Sequence, residues 1–213
     1  MSDPIALALI LALMALVPFI AIVTTTFLKI AMVLMIVRNA IGVQQVPPNI
    51  AIYGLTLILS LYIMAPVLQQ AGQKIESGGR AFATVDAIVK STKEGVEPLR
   101  EFLYRHAKPA QREFFANSVR KLWPRALAET VSERDMLILM PAFVVSELTA
   151  AFEIGFLLYM PFIIIDLIVS NILLAMGMMM VSPSTISLPF KLLLFVTIDG
   201  WTRLIHGLVL SYA

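Results

Sequence analysis

Cysteine is absent from the 213 residues. Without a thiol the chain can form neither a disulfide nor a thiolate metal site. Histidine occurs only twice, as His106 and His206, in separate segments. Charge is scarce: Asp, Glu, Lys and Arg make up 14%, against about 25% in a soluble domain. The net charge is +2, and no dense Lys/Arg face gives a case for nucleic acid. There is no metalloprotease His-Glu-x-x-His, no Gly-x-Ser-x-Gly elbow and no phosphate-binding Walker loop, which argues against an intramembrane enzyme. No internal repeat is evident. The opening Met1-Ser2-Asp3-Pro4 carries an acid and no base, unlike the basic start of a secretory leader. The first apolar run, although leader-like from Ile5 to Val17, is therefore expected to be retained.

Apolar sequence is what the chain has in abundance. Hydrophobic residues make up 59% and mean hydropathy is +0.88, well above the roughly 45–50% apolar share of a soluble domain. The composition predicts a membrane protein and the spacing an all-α fold. The first run, Ile5 to Val37, would be about 50 Å as one helix and exceeds the roughly 30 Å hydrocarbon core. Pro18 is the expected kink. Lys29 shares a face with Thr25. It either snorkels to the interface or belongs to a polar face turned toward another subunit. A turn over Arg38 to Asn49 leads to a second run, Ile50 to Ala71, in which Pro66 is a kink or a frayed end.

Residues 72–135 differ in kind. They hold 12 of the 16 Lys/Arg and 9 of the 14 Asp/Glu. Ser77-Gly78-Gly79 is a break. Pro98 and Pro109 suit the first turns of two helices, Pro98 to Ala107 and Pro109 to Trp123. Ser132 and Asp135 approximate a capping box for the next helix. The chain thus divides into an N-terminal hydrophobic helical hairpin (1–71), a small polar helical segment (72–135) and C-terminal hydrophobic helices (136–213). The short loop with Arg38 favours the cytoplasm, which puts the polar segment outside.

In the last third, helices are expected over Met136 to Leu158, Pro161 to Val181 and Ile186 to Tyr212, with a Pro-bounded loop from Ser182 to Pro189. Charges punctuate this apolar sequence, and charges at bilayer depth face protein or water rather than lipid. Asp199 and Arg203 are four apart in the favoured helical order and form a candidate local ion pair; His206 follows on the same face. Glu147, Asp166 and Lys191 lie on different helices without a local partner and suggest one inter-helix or inter-subunit network, because an unpaired buried charge is costly. Small and polar residues in stripes, Ser146, Ala150 and Glu153, then Asp166, Ser170 and Gly177, suit close helix packing. Met176, Met178, Met179 and Met180 sit within five positions. Methionine adapts to irregular surfaces. A methionine run at helical spacing is usually core, but this one is contiguous and covers all faces; ringed around an axis by several copies, Met178, Met179 and Met180 would make a deformable seal.

Three segments, PAFVVSELTAAFEIGF (Pro141 to Phe156), PFIIIDLIVS (Pro161 to Ser170) and MGMMMVSPSTISLPFKLLLFVTIDGW (Met176 to Trp201), resemble the FliP/SctR family of type III secretion export-gate proteins. The resemblance covers roughly the last third of the chain, and Val181-Ser182-Pro183 is more similar to the injectisome branch. It implies a channel for unfolded proteins in the bacterial inner membrane, a ring or funnel of about five copies, with the smaller FliQ/SctS and FliR/SctT families as partners beside a cytoplasmic-ring protein. It also implies a periplasmic polar segment, an assembly raised above the membrane plane, Met178, Met179 and Met180 as a channel gasket, and neither catalysis nor a cofactor or metal. The alternative is a small-solute or proton-coupled transporter, which membrane carboxylates and Pro-broken helices would suit, against the small size and missing repeat.

Overall fold

A break at three consecutive threonines sets the first bend. The computed structural model describes residues 15–16, 18–43, 46–77 and 85–213, without the side chains of 77 and 85–93. A helical stretch Pro18–Thr24 stops there, and α1 (Phe27–Ile41) starts anew. Thr24 and Thr25 donate back to the carbonyls of Ile20 and Ala21, at 2.7 and 2.6 Å, a competition that bends helices. Among the described residues the break therefore falls at Thr25 and Thr26; the kink expected at Pro18 turns on Val17, which lies outside the described residues. The expected run before residue 15 lies outside the described residues.

The helices that follow are α2 (Asn49–Ser77), α3 (Val85–His106), α4 (Pro109–Leu122), α5 (Arg125–Ala128), α6 (Met136–Ala175), α7 (Pro183–Thr197) and α8 (Gly200–Leu210). No strand occurs among the described residues, and the chain is all-α. Two helices, α2 and α6, are long and apolar enough to cross a membrane; four spans result if each bent pair counts as one. The chain forms two compact units. The first is 1–28 with 60–147 and the second is 29–59 with 148–213.

In the first unit Phe102 and Leu103 of α3 pack with Ile138, Leu139, Ala142 and Phe143 of α6, all buried, and the Phe102 and Phe143 rings lie 5.8 Å apart. Gly95 lets α3 approach α2: a Cβ there would meet Ile75 Cγ1 at 2.7 Å. α3 begins 13 residues before the expected start at Pro98, which lies inside it. A proline inside a helix loses its N–H bond and crowds the carbonyl four residues back, a cost that the burial of Pro98 offsets. At the far end Arg112 Nη1 donates to the carbonyls of Tyr104 and Ala107, at 2.5 and 3.1 Å. Carbonyls at a helix C-terminus have no partner within the helix, and Arg112 supplies one. Pro109 opens α4 as expected, and the Lys108 N–H before it donates to Ser146 Oγ at 2.9 Å. The capping box forms in its acidic half: the Ser132 N–H donates to Asp135 Oδ2 at 2.7 Å.

Two expected boundaries in the last third are corrected. Tyr159-Met160-Pro161 does not divide two helices, because α6 runs unbroken for 40 residues, roughly 60 Å. Neither Tyr159 nor Met160 can cap a new helix, and no glycine ends the old one. Conversely, the expected helix Ile186 to Tyr212 is two helices, α7 and α8, bent by 59°. Asp199 takes the left-handed conformation, φ 52°, between them. Pro183 is the first residue of α7 and Pro189 lies inside it, so the irregular stretch is 176–182, not Ser182 to Pro189.

The core of the second unit is built from Ile30, Val33, Leu34 and Val37 of α1, Ala151 and Phe162 of α6, Phe195, and Leu204 and Leu208. Phe195 packs edge-on against Trp201 at 5.3 Å. Its ring also lies where a Cβ on Gly200 would sit, 2.4 Å from Cε2. Nothing lies within 4 Å of a Cβ on Gly207. Gly200→Ala is therefore expected to destabilise the detergent-solubilised chain by about 1–3 kcal/mol through overpacking. Gly207→Ala is expected to be neutral, or stabilising by up to about 1 kcal/mol through helix propensity. Thermal unfolding of the two variants checks the contrast, and equal shifts would show that the Phe195 contact does not constrain the bend.

Candidate functional site

The Lys191 ammonium is the centre of the charged site in the second unit. Its Nζ donates to Asp166 Oδ2 at 2.6 Å and to the carbonyl of Ala40 at 3.2 Å. Ser187, one turn earlier on α7, donates its hydroxyl to the other carboxylate oxygen of Asp166 at 2.6 Å. Ala40 is in the last turn of α1, where carbonyls lack a partner within the helix and carry the negative end of the helix dipole. One cation thus joins α1, α6 and α7. The Lys191 side chain is 7% exposed and that of Asp166 40%. Gly42, φ 86°, turns the chain away immediately after α1, and a Cβ there would lie 3.8 Å from Lys191 Nζ. Arg38 fixes the turn that follows, donating to Asn49 Oδ1 at 2.5 Å and to the Pro47 carbonyl at 3.3 Å.

The other sequence-selected charges are placed differently. Glu147 is buried and belongs to the first unit. Asp199 and Arg203 are not brought together as an ion pair among the described residues. The Asp199 carboxylate accepts the Thr202 hydroxyl at 3.0 Å, while Arg203 donates its backbone N–H to the Asp199 carbonyl at 3.1 Å. The spacing rule presumed one helix through both residues, and the left-handed Asp199 precedes α8 instead. Lys29 neither snorkels nor faces outward: it is 4% exposed, its ammonium 3.6 Å from the centroid of the Tyr212 ring. A cation over an aromatic face is attracted by the ring quadrupole. Sequence reasoning missed this pair because 183 residues separate its members. Among the described residues no group of three or more His, Asp or Glu could hold a metal ion.

The methionine stretch lies between two defined stops. Gly177, φ 73°, ends α6: the Gly177 N–H donates to the Leu174 carbonyl at 3.0 Å and the Met178 N–H to that of Leu173 at 2.9 Å. These two bonds form a Schellman cap, for which glycine supplies the left-handed residue. Pro183 opens α7 at the other end, with its φ preset for a helix. Between them Met178 is 40% exposed, Met179 82% and Met180 101%. Met179 and Met180 fill no space within the chain, whereas Met178 is partly covered.

The sequence profile of the FliP family matches residues 10–208. The Yop proteins translocation protein R of Yersinia pestis is 53% identical over 212 residues, covering 100% of this chain and 98% of that protein. The harpin secretion protein HrcR of Erwinia amylovora is 50% identical over 210 residues, covering 99% and 97%. The virulence protein YscR of Salmonella typhimurium is 46% identical over 215 residues, covering 100% and 98%.

The unequal burial of the central pair sets an asymmetric expectation. Asp166→Ala strands a buried ammonium and should lower stability by about 2–4 kcal/mol, whereas Lys191→Met leaves a half-exposed carboxylate still bonded to Ser187 and should cost only about 1–2 kcal/mol. The double variant should lose less than the sum, since contacting sites are coupled. Thermal unfolding in detergent measures all three, and additive losses would mean that the pair does not act as one unit.

Proposed function

The chain belongs to the FliP family, and from that membership we propose that it is a core subunit of the type III secretion export gate, forming with its partners the inner-membrane entry channel for unfolded proteins. At the coarser level it is a subunit of the type III secretion export apparatus, on the injectisome branch. It is a structural component of that apparatus, belongs to the bacterial inner membrane and assembles with other secretion subunits.

In the finer reading, about five copies close into a ring through head-to-tail contacts. The smaller FliQ/SctS and FliR/SctT subunits join them, and the cytoplasmic-ring protein delivers unfolded cargo. Residues 1–71 act as the first hydrophobic hairpin, 72–135 as a periplasmic segment and 136–213 as the channel-forming part. The chain does no chemistry of its own. Glu147 joins Asp166 and Lys191 in one charge network as subunits assemble, and Asp199 with Arg203 carries local polarity at the α7–α8 bend.

The exposed methionines carry this reading. A large apolar side chain pinned in the open is a surface awaiting a neighbour, and Met179 and Met180 are the most exposed of the four. Repeated around a ring axis, Met178, Met179 and Met180 close the channel at rest. Changing all three to Ala should leave the oligomer intact, since they fill no core of the chain, and should let ions or small dyes leak across the inner membrane. Oligomer yield on native gels is measured with dye entry in cells. Lost assembly without leak would make them packing residues and end the gasket proposal.

A further inference from the structure

The bend between α7 and α8 borders an apolar cavity of about 430 Å³ in the second unit, within the roughly 300–1,000 Å³ of small-molecule sites. Its floor is the buried set Val37, Phe162, Phe195, Leu204 and Leu208. The space stays open for local reasons. Gly207 lines it without a side chain, and nothing lies within 4 Å of where its Cβ would be. The left-handed Asp199, φ 52°, stands where α8 turns by 59° from α7. Arg203 is the one ionisable residue that lines the cavity. It is exposed, which puts it at the mouth, and among the described residues its guanidinium has no carboxylate partner. The Asp199 carboxylate does not line the cavity and accepts the Thr202 hydroxyl at 3.0 Å. Gly200, the first residue of α8, also lines it, so the positive end of that helix borders the same space.

We propose that this cavity binds a long-chain carboxylate, with the alkyl chain on the apolar floor and the carboxylate on Arg203. A hydrocarbon wall with a single cation at the mouth matches an amphiphile with one tail and one negative charge. The planar guanidinium takes a carboxylate through two parallel N–H···O bonds, and a helix N-terminus favours the same sign. A neutral apolar molecule would gain nothing from the arginine, and a diacyl lipid would bring a second chain that the cavity does not house. Every lining residue belongs to the second unit of one chain. Binding therefore needs neither the ring, nor the methionine gasket, nor a bilayer around the site.

The test uses the full chain in an uncharged maltoside detergent and a palmitic acid with a diazirine near the end of its tail. After photolysis, peptide mass spectrometry maps the adducts, which are expected on the peptides carrying Phe162 and Leu204 to Leu208. Unlabelled palmitate should compete, and hexadecanol, with the same chain and no charge, should compete roughly ten-fold less well. Arg203→Gln should weaken labelling by about the same factor, and Arg203→Lys, which keeps the charge but not the fork, should fall between. Gly207→Leu, which fills the cavity, should abolish labelling. The Arg203 variants change an exposed residue and carry the test should Gly207→Leu fail to fold. Labelling spread over the exposed apolar face of α6 and unchanged in Arg203→Gln overturns the proposal, as does equal competition by hexadecanol. Competition by phosphatidylglycerol as strong as by palmitate overturns it in favour of a membrane lipid. Labelling that disappears when the other export subunits are bound overturns it in favour of a protein contact.

Discussion

A cation buried among apolar helices has to find its counter-charge within reach, and Lys191 finds two acceptors, one of them charged. Its ammonium takes one oxygen of Asp166 and the terminal carbonyl of Ala40, while Ser187 holds the other oxygen of Asp166. Desolvating an ammonium is expensive unless every proton has a partner. The register of α7 on α6 and the position where α1 stops are therefore not free variables: a slide by one residue would strand the charge. Apolar packing alone is less selective, because hydrophobic surfaces tolerate many registers. The chain turns away two residues past Ala40, where Gly42 takes a left-handed φ of 86° that glycine adopts at no steric cost.

Much of this was legible in the sequence. Fold class followed from composition. The starts of α4 and of the methionine stretch followed from proline and glycine, whose backbone preferences act within a few residues. What sequence reasoning misplaced was decided elsewhere. Pro161 and Pro98 were expected to bound helices and lie within them, because losing one backbone bond does not end a helix whose other bonds and packing remain. Asp199 and Arg203 were read as an ion pair on one helix, whereas Asp199 takes a left-handed conformation at the bend between α7 and α8. The Lys29–Tyr212 contact joins the two ends of the second unit's sequence, and no window along the chain contains both.

The apolar surface left over by this packing suits a subunit of a larger apparatus. Along α6 the residues Phe152, Phe156, Leu157, Ile164, Leu167 and Ile168 are exposed, while Ser146 and Glu147 of the same helix are buried. A solitary soluble chain with such a face would aggregate. In a membrane protein the face meets lipid or the next subunit, and small and polar stripes decide where helices approach.

The Schellman stop at Gly177 and the proline start at Pro183 have a consequence for timescale. They pin both ends of the intervening stretch, so its backbone has little freedom to lose or gain. The motion left to it is in unbranched side chains with several rotatable bonds. Such rotamer changes take picoseconds to nanoseconds at exposed positions, whereas shifting whole helices takes microseconds or longer. In the proposed ring, a passing polypeptide of varying girth would be accommodated residue by residue through methionine rotamers, faster than any helix could respond. Widening the aperture and sealing it would then be the same process read in opposite directions, with the frame of helices at rest throughout.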